Sequence, residues 1–143
     1  MKRYIETLGA VIASALMPIK ATLLLVAICI ILDTFFGIYK AYKTKQAITS
    51  RALSAVISKM FLYEFVVIMC FAIDTIMLNE LLKSVSPVDL ILTRLVGFVM
   101  VAVETLSILE NIKISTGYDF IKMAKDILSR GKSLKTELDE FKN

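Results

Sequence analysis

The chain has 143 residues, a formal net charge of +4 and an apolar content of 57%, with a mean hydropathy of +0.75. Ordinary soluble domains carry less apolar material, and a soluble bundle would need charged outer helix faces that the middle of this chain does not offer. Histidine is absent, which removes the commonest general base and metal ligand and every imidazole-dependent triad, so neither enzymatic chemistry nor a cofactor is expected. Cys29 and Cys70 lie in apolar runs without metal-ligand spacing and read as small packing residues. The basic residues cluster beside hydrophobic segments and lack aromatic interleaving, a pattern of membrane orientation and not of nucleic-acid binding.

Residues 1–19 come first. As a helix, residues 4–17 reach about 21 Å, short of the roughly 30 Å hydrocarbon core. Tyr4, Ile5, Leu8, Val11, Ile12, Ala15 and Leu16 share one stripe, while Glu6, Gly9, Ala13 and Ser14 take the other side. This predicts an amphipathic helix lying at the membrane surface. Two rivals are a short fourth crossing that places Lys2 and Arg3 inside, and a signal peptide cleaved near Ala13-Ser14-Ala15, against which Glu6 interrupts the apolar run.

Residues 20–114 hold three stretches near the roughly 20 residues that a crossing helix requires. They are 21–39, opened by Pro18 and Lys20 and broken only by Asp33; 61–82, with Glu64, Asp74 and Glu80; and 90–112, with Arg94, Glu104 and Glu110. Segments so interrupted are poorly suited to facing lipid all round and should pack on other helices or border water. Lys40, Lys43, Lys45, Arg51 and Lys59 form a basic stretch without an acidic residue, expected at the cytoplasmic membrane surface. The next connection has few cations and a Ser86-Pro87 turn signal, so it reads as an external hairpin.

Residues 115–143 are expected to form a charged cytoplasmic tail. Ser115-Thr116-Gly117 breaks the third helix, and Thr116 with Asp119 has the spacing of a capping box that starts another. In that helix Phe120, Ala124, Ile127 and Leu128 share a face, Gly131 interrupts, and Leu134, Leu138 and Phe141 resume a similar spacing. The fold class is therefore an all-α integral membrane protein with three transmembrane helices, an N-terminal amphipathic or short spanning helix, and a cytoplasmic C-terminal helix.

Each crossing carries a polar constellation. Asp33, Gly37 and Ala41 recur every four residues, a small-residue seam for close helix contact within one chain or between chains. Lys59, Tyr63, Val67, Cys70 and Asp74 follow steps of three and four, while Gly97, Glu104 and Asn111 repeat every seven with Ser107 beside them. An ionised carboxylate in hydrocarbon is costly, so Asp33, Asp74 and Glu104 should pair with a cation such as Lys59 or Arg94, hold a proton, or reach water.

The stretch from Leu32 to Ala41, followed by Ile48-Thr49-Ser50-Arg51, Lys59, Ile73-Asp74 and the segment Glu104 to Ile112, resembles phage lysis and toxin-secretion holins. The order and spacing of these motifs carry the resemblance, over roughly residues 32–112. It implies a nonenzymatic multi-pass protein of the bacterial inner membrane whose partners are the lipid bilayer and further copies of itself, and whose lesion releases an endolysin or toxin. Under that reading Asp33, Gly37, Ala41, Asp74, Gly97, Glu104, Ser107 and Asn111 form an oligomer or pore interface. The alternatives are a non-lytic scaffold subunit and a small ion-conducting channel subunit.

Overall fold

The structure, a computed structural model, describes residues 2–82 and 89–140, and every regular element among them is helical. Helix α1 (Lys2–Ala15) leads through a 3-10 turn, Met17–Ile19, into α2 (Lys20–Lys43). Helix α3 (Ser50–Ile73) runs on into a π-helical segment, Asp74–Leu78, and a short α4 (Asn79–Leu82). Helices α5 (Ile91–Thr116) and α6 (Phe120–Glu140) follow. The expected turn at Ser86-Pro87, with Lys83, lies outside the described residues.

Three segments are long and apolar enough to cross a membrane: Met17–Lys43, Ser50–Leu78 and Ile91–Thr116, with mean hydropathies of 2.4, 2.1 and 1.8. Each is a single helix because hydrocarbon offers no partner for backbone N–H and C=O groups, which must be satisfied within the segment. The spans run past the expected limits of 21–39, 61–82 and 90–112, most clearly in the second, which begins at Ser50. The Thr49 hydroxyl sets that start by accepting the Ala52 N–H at 3.3 Å. Lys59 lies inside this span, its charge met by partners on two other helices. The helical run of that span continues through the π-helical segment and α4 to Leu82.

Burial is inverted relative to a soluble protein. The buried residues include Ile19, Val26, Ile30 and Val67 but also Asp74, Thr93, Glu104 and Asn111, while Leu24, Ile28, Ile31, Phe35, Phe61 and Phe98 are exposed. Apolar faces turned outward suit lipid, where helices associate through close packing and polar pairing and gain no hydrophobic drive from meeting each other. The principal contact is α2 on α5, with α3 against both. Gly97 permits that approach: a Cβ there would stand 2.5 Å from Thr22 Cγ2.

The helix ends follow local chemistry. Helix α2 closes with the Gln46 N–H donating to the Ala41 carbonyl at 2.9 Å and the Lys45 N–H to that of Tyr42 at 3.3 Å, which puts Lys45 at φ 56°. Helix α5 stops at Gly117, whose φ of 81° is open to glycine at little steric cost. The cap of α6 differs from the expected Thr116 capping box. Thr116 still belongs to α5 and its hydroxyl donates back to the Ile112 carbonyl, so Asp119, directly before α6, accepts the Lys122 N–H at 2.9 Å. Lys113 pairs with Asp119 at 2.7 Å, and together with the Lys122 N–H it holds the Asp119 carboxyl below the usual carboxylate range. Gly131 does not interrupt α6, which runs through it; one glycine costs a helix only about 1 kcal/mol. The proposed continuation of its apolar face through Leu134 and Leu138 to Phe141 lies outside the described residues and side chains.

Candidate functional site

The seven-residue repeat on α5 turns one stripe inward along the helix. Gly97 meets Thr22 of α2, Glu104 is fully buried, and Asn111 packs near Gly37, whose added Cβ would lie 3.8 Å from Asn111 Nδ2. On α2, Asp33 faces this stripe. On α3, Lys59 reaches into it from the third side.

Lys59 ties the three spans together. Its Nζ donates to Asp33 Oδ2 at 3.2 Å and to Glu104 Oε2 at 2.5 Å. Asn111 Nδ2 donates to the other Asp33 oxygen, Oδ1, at 3.1 Å. Tyr63, one turn along α3, places its ring 5.8 Å from the ammonium. One ammonium therefore serves carboxylates from two other helices, a charge-assisted arrangement worth most where water is excluded. Glu104 Oε1 is buried and meets no hydrogen-bonding geometry with a partner among the described residues.

This placement corrects the assignment of Lys59 to the membrane-surface basic group. Lys59 is ten residues into α3, about 14 Å along the axis, with its amine turned inward. Lys43, Lys45 and Arg51 are exposed as expected, and Lys43 sits 5.7 Å over the Tyr39 ring. Lys40 is half-buried and lines a cavity of about 380 Å³ between α2, the following loop, α3 and α5. Asp33, Gly37, Ala41, Ser107 and Asn111 line the same cavity, so most of the predicted polar residues converge on one place.

Asp74 does not join them. It shares a helix face with Lys59, but the two are fifteen positions and about 22 Å apart along α3. Its carboxylate instead accepts the Leu92 N–H at 3.2 Å, the Thr93 N–H at 2.7 Å and the Thr93 hydroxyl at 2.6 Å. Helix α5 begins after Leu90, which is left-handed at φ 57° and supplies no side-chain cap. Asp74 provides that cap from a neighbouring helix, where negative charge also complements the helix dipole. Arg94 is exposed and forms no ion pair with it.

Reasoning from sequence missed the partners Thr22 and Thr93, and passed over Glu64 as a mere interruption of the second crossing. Thr93 had one signal, its place four residues before Gly97 on the inward stripe. Thr22 had none.

In comparisons with known proteins, no curated protein and no solved structure matches the chain. The family model described as the Bacteriophage holin family matches residues 10–130. That match extends past the motif order read over 32–112, into α1 on one side and to the midpoint of α6 on the other. Three apolar spans and a family match over most of its length lead to one conclusion: this multi-pass protein of the inner membrane belongs to the bacteriophage holin family.

Proposed function

We propose that the chain accumulates in the inner membrane, self-associates and opens a lesion through which an endolysin or a toxin leaves the cell. The observation that carries this reading is the polar interior tied by Lys59. A three-helix bundle with an apolar exterior keeps Asp33, Glu104, Ser107 and Asn111 away from lipid while the chain is alone. Those groups, with Asp74 and the close-packing Gly37, Ala41 and Gly97, are the ones that would exchange internal partners for water or neighbouring copies as helices assemble around a lesion. The basic loop and the tail cations support a cytoplasmic C-terminus, with α6 then facing the compartment that holds the cargo.

The test is induced expression in cells loaded with a membrane-potential dye, comparing wild type with Asp33→Leu and Glu104→Leu. Wild type is expected to depolarise the membrane and release a cytoplasmic marker enzyme, and both variants to shift the onset. Unchanged onset in both variants would remove these carboxylates from the mechanism. A chain that leaves the membrane sealed and co-purifies with another protein in fixed ratio would instead be a scaffold.

A further inference from the structure

Glu64 is the exception among the acidic side chains of the spans that are buried or half-buried. Asp33 and Glu104 share Lys59, and Asp74 caps α5. Glu64 has neither: among the described residues it makes no ion pair, and its Oε1 is buried without a hydrogen-bond partner.

Its position makes this consequential. The span Ser50–Leu78 has 29 residues, and Glu64 lies fourteen from each end, at the middle of that span. It lines a shallow groove with Ile57, Met60 and Phe61, all on α3. Ile57 and Phe61 are 72% and 77% exposed, so among the described residues this face is largely uncovered. Lipid tails can fill such a groove but cannot hydrogen-bond to a carboxyl group. Among the described residues no cation pairs with Glu64, and Lys59 is engaged with Asp33 and Glu104.

A second copy satisfies what lipid cannot. A carboxyl group that keeps its proton is both donor and acceptor, so two Glu64 side chains meeting across a two-fold axis can exchange a reciprocal pair of hydrogen bonds. Polar side chains act this way as glue between spanning helices, and the symmetric arrangement brings the same groove to both partners. We infer that two copies of the chain associate through the α3 face bearing Ile57, Met60, Phe61 and Glu64, with Glu64 paired to its own counterpart within the span. This interface deepens the self-association proposed above and rests on it. It leaves the internal Lys59 cluster untouched, so copies can pair while the polar interior remains closed.

The experiment is energy transfer between donor- and acceptor-labelled copies in proteoliposomes, for wild type, Glu64→Leu and Glu64→Gln, with unfolding followed in parallel. Wild type and Glu64→Gln, which keeps a donor and an acceptor, are expected to transfer energy at comparable protein-to-lipid ratios. Glu64→Leu should need at least a several-fold higher ratio while unfolding like wild type, because Glu64 makes no internal bond. Equal association of Glu64→Leu and wild type overturns the interface, as does complete loss in Glu64→Gln. Absence of transfer in wild type itself overturns self-association altogether, a separate failure from that of this face.

Discussion

Lys59→Met is expected to destabilise the bundle by about 3 kcal/mol, the lower end of what removing one partner of a buried ion pair costs. The side chain of Lys59 keeps 32% of its surface, which tempers the effect, but Glu104 keeps none and Asp33 only 16%. Losing the ammonium leaves both carboxylates in the interior without a counterion, and the cost arises from those two groups more than from the lost attraction. The triple variant Lys59→Met, Asp33→Asn, Glu104→Gln should therefore recover most of the lost stability, since it removes the orphaned charges as well. Reversible unfolding in mixed micelles measures both. A Lys59→Met chain within about 0.5 kcal/mol of wild type, the range of ordinary surface changes, would deny the cluster its structural role.

Asp74→Leu should cost a similar amount for a different reason. Three donors, the Leu92 and Thr93 N–H groups and the Thr93 hydroxyl, lose their acceptor at a site where Asp74 and Thr93 are fully buried. Each unmet buried donor costs about 1–3 kcal/mol, with the total held to about 3 kcal/mol because the freed end of α5 can fray toward water. Asp74→Asn retains an acceptor oxygen and forfeits the charge, so it should lose only the dipole contribution and part of the bond strength, about 1–2 kcal/mol. Amide exchange at Leu92 and Thr93 locates the damage. Equal losses for Asn and Leu would mean that the carboxylate does not cap α5.

These two residues also mark how far the sequence could be read. The three spans follow from apolar length alone, and the end of α5 at Gly117 follows from glycine's access to positive φ. The inward stripe of Gly97, Glu104 and Asn111 was legible because a seven-residue repeat is a property of one helix. Partnership between helices was not. Lys59 and Asp74 share an angular position, yet angle says nothing about depth, and the register of α3 against α5 decides that one meets Glu104 and the other meets Thr93. Glu64 shows the same limit from the opposite side: its spacing does not reveal that it pairs with no cation among the described residues.

The central claim is that the polar interior stays closed within each chain and must open for the membrane to be breached. A Cβ on Gly97 would lie 3.9 Å from Thr22 Cβ, within the roughly 3.5–4.5 Å that a disulfide spans. Thr22→Cys with Gly97→Cys, in a background of Cys29→Ala and Cys70→Ala, should therefore lock α2 to α5. The decisive measurement is release of a protein-sized cargo from proteoliposomes holding this variant, oxidised and then reduced. The account predicts a cross-link within single chains, no release while it is intact, and release on reduction. Full release from the oxidised chain, or a cross-link that forms only between chains, would contradict it.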